Sequence, residues 1–444
     1  EEMSDSSPPY LLFFCLFSIL AWAFELYLSL RQRLRLINSK GPHELINLSQ
    51  EDFDASKRYS LEKNAFNILC EAVNTIASIS FLLMNGMAWM WGISKDFCNT
   101  VGLGEGEITV SMVFAAVFYV KSTIESAPWD LYENFVIEEQ HGFNKQTLAL
   151  WIRDQALTHF LFFLIGGPVL AIALFIINWA GPNFYLYLWL FTTCVVFFML
   201  TIYPNVIAPL FNTFTLLQPG PLKSAIDKLA LANGFPLKEV YVVDGSTRSS
   251  HSNAYFYGFG KNKRIVLYDT LSPALQSTTP KEGKEGSGCS DEEIVAILAH
   301  ELGHWKMRHT ISQLVIAEVH LFAFFFSYGF MVHSQGMYRS FGFGSEHPVM
   351  VGLLLFSCII SPIEHFVAFA QNSLTRLFEY QADRFATRQG MGQLLQQGLC
   401  KISKDNKSNS DPDPWYSAYH HTHPSLLERL KAITADPDFK PKAA

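Results

Sequence analysis

The sequence predicts a mainly α-helical protein that crosses a lipid bilayer several times and carries a smaller polar part with a little β-structure. Two compositional facts and one pattern point there. Apolar residues fill 49% of the 444 positions and charged residues only 16%, where soluble chains carry roughly 25% charged residues. Phe alone accounts for 38 positions, and mean hydropathy is positive. Long apolar windows recur along the chain, and Lys and Arg gather after alternate ones.

Seven windows approach or exceed the length that crosses about 30 Å of hydrocarbon: 10–30, 66–91, 108–126, 157–180, 185–202, 310–332 and 349–370. The third is interrupted by Lys121 and Glu125. The first follows a short acidic stretch without a basic region or a small-residue cleavage site, so it reads as a retained span. Arg31, Arg33, Arg35, Lys40, Lys57 and Arg58 follow the first window, and Lys145 and Arg153 follow the third. Lys223, Lys228, Arg248, Lys261, Lys263 and Arg264 follow the fifth, whereas the alternate loops hold only Lys95 and Arg339. Positive charge is retained in the cytosol, which predicts an N-terminus in the lumen or exterior and a cytosolic segment after the fifth and seventh spans.

Other features narrow the function class. The seven Cys have no paired spacing, so neither a disulfide framework nor a cysteine metal site is indicated. A formal net charge of −7 without a basic stripe gives no reason to expect nucleic acid.

Between the fifth and sixth windows lies a polar insertion with its own signals. Residues 224–233 read as a short helix, and 239–243, 254–258 and 264–268 as strands of a small sheet. The stretch 271–290, rich in Ser, Thr, Gly, Pro and Lys, reads as a surface loop. After the last window, 371–388 reads as a polar-faced helix and 411–434 as a Pro-rich turn entering another short helix. The predicted organisation is 1–203 for spans one to five with their loops, 204–309 for the first half of a catalytic domain, 310–370 for spans six and seven, and 371–444 for the second half with the C-terminal tail.

The chemistry concentrates in IVAILAHELGHWKMRH, from Ile294 to His309. Its H-E-x-x-H core puts His300 and His304 one turn apart on a helix face, which supplies two zinc ligands without strain. Glu301 projects about 100° around the same helix, where it can take a proton from a zinc-bound water. Asp291, Glu292 and Glu293 open the helix at its positive end, and Ile294, Val295, Ile297, Leu298 and Leu302 give it an apolar face.

A zinc peptidase needs a third ligand, and the best candidate is Glu379 in FEYQADRFA, with Asp383 at i+4 on the same face. His304 stands just before the sixth window and Glu379 just after the seventh, so a chain that crosses out and back returns Glu379 to the side it left. Counted as helix, His304 to Thr310 rises about 9 Å and Ala370 to Glu379 about 13 Å, which puts the metal at the bilayer boundary. Asp383 is short for a ligand but suits accepting the outer N–H of a metal-bound histidine. Downstream, His423 and Arg429 lie on the same side and are of the type that stabilises an oxyanion.

HELGH, FEYQAD, RSSHSNAYFYG (248–258), TIYPNVIAPLFN (201–212), YSAYHHTHPSLLER (416–429), FELYLSLRQ (24–32) and HGFNKQT (141–147) together resemble the integral-membrane zinc CAAX prenyl endopeptidases. The resemblance implies seven transmembrane helices around a water-filled intramembrane chamber, capped by the metalloprotease domain. It implies one catalytic Zn²⁺ held by His300, His304 and Glu379, with Glu301 as general base, Asp383 orienting, and His423 and Arg429 stabilising the transition state. Asn253, Ala254 and Tyr255 would lie on an edge strand that takes the substrate peptide by β-addition. The implied activity removes the last three residues of prenylated, farnesylated C-a-a-X proteins by attack of zinc-bound water. The implied location is the membrane of the endoplasmic reticulum, extending to the inner nuclear membrane, with the catalytic side cytosolic. DPDPWYSAY and the 271–290 loop depart from the family pattern.

Glu25, Asn74, Asn85, His159, Glu318, His320, Glu364 and His365 fall in or beside the windows, where a wet chamber or interhelical hydrogen bonds would remove the cost of unpaired polar groups. Lys440 and Lys442 in K-P-K-A-A are similar to a dilysine retrieval signal. Two other readings compete: a membrane quality-control metalloprotease with the same site acting on non-prenylated or stalled polypeptides, and a scaffold or transporter that has lost the chemistry. The intact Glu301 argues against the second.

Overall fold

The computed structural model describes residues 9–258, 260–275 and 288–441. The middle of the predicted 271–290 loop, the acidic residues before Pro9, and Lys442 lie outside the described residues.

Among the described residues, seven helical stretches are long and apolar enough to cross a membrane. The first, α1 (Tyr10–Asn38), continues well past its apolar window and carries Arg31, Arg33 and Arg35 on its polar end. The second, α2 (Gln50–Leu83), starts at Ser49, whose hydroxyl accepts from the Asp52 amide, several turns before its window. It also stops within that window. Asn85 adopts a left-handed φ of 55° with its side chain against Gly342, and α3 (Gly86–Thr100) departs from there. The apolar run 66–91 is therefore two helices, because Asn tolerates the left-handed turn that ends the first.

The third span begins with α4 (Glu107–Tyr132) and extends through a π-helical turn to Glu138. The fourth comprises α5 (Leu148–Leu161) and α6 (Gly167–Trp179), joined by another such turn. The fifth, α7 (Phe184–Ile202), leads into the short α8 (Ala208–Phe211). Trp91, Phe114, Leu174 and Leu188 on these helices bury one another together with Tyr328 and Leu355 from spans six and seven.

The insertion then forms a four-stranded sheet. A three-residue strand β1 (Phe214–Leu216), too short to leave a periodic signal, precedes α9 (Pro221–Asn233) and β2 (Leu237–Val243). Strands β3 (Ala254–Tyr257) and β4 (Lys263–Tyr268) complete the order β1-β2-β4-β3, with β2 and β4 parallel and the other pairs antiparallel. Ile226, Val240, Ile265 and Leu267 pack on α10 (Asp291–Lys306) through Ile294, Leu298 and Leu302. Each such buried aliphatic side chain contributes about 1.5–3 kcal/mol.

After α10 the chain does not run straight into the membrane. Arg308 takes a left-handed φ of 60°, and α11 (His309–Met331) sets off as a separate helix, so the helical count from His304 to Thr310 is broken there. A short α12 (Gln335–Ser340) precedes α13 (Val349–Ala386), a single 38-residue helix. The predicted helix 371–388 is thus the outer end of the seventh span. The segment that follows holds α14 (Gly392–Asp405), α15 (Pro414–His420) and α16 (Leu426–Ala435), giving two helices where the sequence suggested one in 411–434.

Five of the polar residues singled out in the spans, His159, Glu318, His320, Glu364 and His365, have polar partners. His320 lies 3.1 Å from Glu364, Thr193 donates to Glu318 at 2.6 Å, and His159 and His365 contact Tyr119 and Tyr419 at 2.7 and 2.9 Å. Glu318, His320, Glu364 and Gln371 line a hollow of about 530 Å³ among α7, α11 and α13.

Candidate metal centre

The local sequence fixes the orientation of α10. Ser290 accepts from the Glu293 amide at 3.3 Å while the Glu293 carboxylate accepts from the Ser290 amide at 2.7 Å, a reciprocal cap that sets the first turn. Lys401 of α14 pairs with Glu293 at 2.7 Å and ties that cap to the body of the domain. The helix lies against α13 at unusually close range. An added Cβ at Gly303 would meet Ala382 Cα and Phe385 Cβ at 3.1 Å each, so the glycine inside HELGH is what lets the two helices touch.

That approach brings His300, His304 and Glu379 together. His300 Nε2 lies 3.3 Å from His304 Nε2 and 3.4 Å from Glu379 Oε2, and His304 Nε2 lies 3.2 Å from Glu379 Oε1. A tetrahedral ion with ligand bonds of about 2.0–2.1 Å separates its ligand atoms by about 3.3–3.4 Å; the two histidine nitrogens meet that spacing and each faces a different Glu379 oxygen at a similar distance, so the group can close on such an ion. The Glu379 Oε2 atom is buried and makes no hydrogen bond within the protein, as expected of a carboxylate oxygen kept for a ligand outside the chain.

The outer ring nitrogens are also engaged. His300 Nδ1 sits 2.8 Å from Asp383 Oδ1, so Nδ1 donates to the carboxylate, and once the ring has lost its second proton the Nε2 lone pair is left for a metal. Arg429 donates to both Asp383 oxygens, at 2.9 and 2.6 Å, and its remaining Nη1 lies 3.7 Å from Glu379 Oε2. His304 has a partner that sequence reasoning missed. Its Nδ1 is 3.0 Å from His309 Nδ1, and His309 Nε2 is 2.9 Å from Gln381 Oε1. Because the Gln381 carbonyl accepts from His309 Nε2, His309 Nδ1 is free to accept from His304, which again leaves a lone pair on Nε2. His309 is held flat against Phe378, with ring centroids 4.1 Å apart.

Electrostatics follow from this packing. Burial and the Arg429 charge push the His300 imidazole down, but the Asp383 carboxylate bonded to it and the nearby Glu379 carboxylate outweigh them and hold it at about 9 in the metal-free protein. Burial pushes the Glu301 carboxyl above the usual carboxylate range, against the opposing pull of His300 and His304. Burial lowers the Arg429 pKa, but the Asp383 and Glu379 carboxylates raise it further and keep the guanidinium charged. His423 Nε2 reaches to 3.4 Å from Glu379 Oε1 from a side chain that is 61% exposed, at the mouth of the site.

The strand β3 pairs with β4 on one side and has no strand partner on the other among the described residues. Tyr268 donates its amide to the Asn253 carbonyl at 3.0 Å. Antiparallel alternation therefore turns the main-chain groups of Asn253 and Tyr255 into the sheet and those of Ala254 and Phe256 toward the free edge. The Asn253 side-chain oxygen accepts from the Ala254 amide at 2.8 Å. Phe256 was not singled out from the sequence, and only the register identifies it.

Comparison with known proteins agrees with this architecture. Residues 32–213 match the family described as "CAAX prenyl protease N-terminal, five membrane helices", and residues 217–436 match "Peptidase family M48". The chain is 44% identical over 96% of its length to the CAAX prenyl protease 1 homolog of Oryza sativa subsp. japonica, of which the match covers 97%. It is 39% identical to the Homo sapiens homolog, with 94% of each chain covered. The crystal structure of S. mikatae Ste24p superposes with a TM-score of 0.87 at 36% identity, covering 96% of this chain and 99% of that one. A helical membrane fold, a His-His-Glu group placed for a metal ion, and relatives matched end to end agree: the chain belongs to the CAAX prenyl protease family and is a membrane-embedded metalloprotease of peptidase family M48.

Proposed function

We propose that the protein is a zinc endopeptidase that removes the last three residues of prenylated C-a-a-X proteins, with His300, His304 and Glu379 as the ligands of one Zn²⁺. The observation that carries this reading is the set of 3.2–3.4 Å separations among their ligand atoms beside an unpartnered, buried Glu379 oxygen. A zinc ion held there supplies a Lewis acid for the scissile carbonyl and acidifies a water.

The protein's own groups do the rest. Glu301, neighbour to His300 on α10, takes the proton of the attacking water and returns it to the departing amine as the C–N bond breaks; its raised proton affinity suits that double role. Asp383 holds the His300 ring in the right tautomer, and His309 does the same for His304. Arg429, with two N–H groups committed to Asp383, fixes that carboxylate and turns its remaining nitrogen to the site. His423 at the mouth is the freer donor for the developing oxyanion.

The substrate tail is taken as an added strand beside β3, through the main chain of Ala254 and Phe256 and the side chains of Asn253 and Tyr255. The prenyl group lies among the spans, since α13 carries Glu379 directly off the seventh span and so sets the cut at the membrane edge. We place the protein in the endoplasmic reticulum membrane with this site on the cytosolic face, where Lys- and Arg-rich loops favour it. The catalytic domain is assembled from two parts, 204–309 and 371–444, on either side of spans six and seven.

Purified protein given matched farnesylated and unmodified C-a-a-X peptides tests the reading. Release of the tripeptide from the farnesylated peptide alone, lost with a chelator and restored with zinc, is expected. Equal cleavage of both peptides would favour a quality-control protease.

A further inference from the structure

Arg33 and Arg58 stand out among the cationic side chains at the membrane edge. On α1, the residues two positions either side of Arg33 are matched: Arg31 pairs with Asp413 at 2.9 Å and Arg35 with Asp411 at 2.5 Å. Among the described residues Arg33 has no carboxylate partner and only reaches the Leu61 carbonyl, at 3.4 Å. Arg58 on α2 is exposed and has no polar partner among the described residues. Both line one cavity of about 560 Å³, together with Leu61, Glu62, His141 and Lys407. The carboxylate in that set is already engaged, with Glu62 lying 2.7 Å from His141. Lys407 donates to the His141 carbonyl at 2.5 Å, which holds its ammonium at the cavity wall. The cavity lining thus sets Arg33 and Arg58 against the single carboxylate of Glu62 and is net positive, and the two guanidinium groups offer the planar forks that match phosphate oxygens.

Position says which phosphate. Arg33 lies three residues, about 4.5 Å, beyond the end of the first apolar run at Leu30, and Leu61 lies five residues, about 7.5 Å, before the second begins at Phe66. The cavity thus opens at headgroup level, on the face that carries the metal centre. The helical repeat continues its stripe toward the membrane through Leu30 on α1 and through Ala65 and Leu69 on α2; Leu30 and Leu69 are 46% and 55% exposed. A free anion has no use for that apolar continuation, whereas acyl chains do. Its volume falls within the range of about 300–1,000 Å³ found for small-molecule sites.

We propose that this cavity binds the headgroup phosphate of an anionic phospholipid of the same leaflet, with Arg33 and Arg58 on the phosphate and the acyl chains along the Leu30–Leu69 stripe. A zwitterionic lipid would bring its ammonium group against the same cations and is disfavoured.

The full chain, reconstituted in phosphatidylcholine vesicles with a minor fraction of phosphatidylinositol and released for native mass spectrometry, tests this. Wild type should retain phosphatidylinositol selectively. Arg58→Gln, which changes an exposed side chain without a partner, should lower retention about fivefold, and the Arg33→Gln/Arg58→Gln pair about 25-fold. Lys223→Gln, a charge change on α9, should retain lipid as wild type does. No selective retention by wild type, or equal retention by wild type, Arg58→Gln and the pair, would overturn the proposal. Displacement of the lipid by inorganic phosphate at the same concentration would mark a free-anion site and overturn the lipid assignment.

Discussion

Gly303→Ala changes one hydrogen to a methyl group, yet it acts where α10 and α13 are closest. The new Cβ would stand 3.1 Å from both Ala382 Cα and Phe385 Cβ. Carbon atoms settle at about 3.5–4.0 Å, so the helices must part by about 0.4–0.9 Å. Ala382 lies between Glu379 and Asp383 on α13, so the displacement passes to the Glu379 carboxylate, whose two oxygens stand 3.2 and 3.4 Å from the histidine nitrogens. Metal sites accept deviations of only about 0.2 Å in ligand distance. Overpacking of this kind costs about 1–3 kcal/mol, which corresponds to about five- to 150-fold weaker metal binding. Alanine also gains about 1 kcal/mol of helix propensity, so global stability should change less than metal affinity. Competition titration against a chromophoric chelator, alongside thermal unfolding, separates the two. Gly92→Ala on α3, where an added Cβ meets nothing within 4 Å, is the control and should bind metal normally. Wild-type metal affinity in Gly303→Ala would refute the argument that helix contact sets the site.

Other outcomes follow from the same geometry. Glu379→Ala should lose the metal from purified protein, while Asp383→Asn should weaken affinity about 10- to 100-fold without abolishing it, as measured by metal analysis at graded zinc. His309→Phe keeps a ring against Phe378 but removes the acceptor for His304, so kcat and metal affinity should both fall, with His309→Gln partly restoring them. Because His300 holds a proton up to about pH 9 in the metal-free protein, metal entry must expel it. Apparent metal affinity should therefore rise with pH from 6 toward 9, by up to about tenfold per unit, and a flat profile across that range would contradict the His300–Asp383 pairing.

What the sequence revealed and what it hid have physical reasons. The pairing of His300 with His304 was legible because a helical repeat puts residues four apart on one face. Glu379 was legible because two membrane crossings return the chain to one side, a constraint that needs no coordinates. The breaks at Asn85 and Arg308 were not, since each is a single left-handed residue inside or beside an otherwise helical run. His309 was hidden by that same break: counted along an unbroken helix it faces away from His304, and only the turn at Arg308 brings the rings to 3.0 Å. Gly303 reads in sequence as a weak helix former, and its value appears only when α13 lies on it. Phe256 depended on strand register, which short strands do not announce.

The central claim is that three side chains hold one zinc ion while Glu301 moves the proton. Counting zinc per chain and tripeptide release from a farnesylated C-a-a-X peptide, in wild type and in Glu301→Gln, tests it most directly. One ion in both proteins, with cleavage reduced by several orders of magnitude in the variant alone, is the predicted result. Near-normal cleavage by Glu301→Gln, or loss of its zinc, would contradict the account.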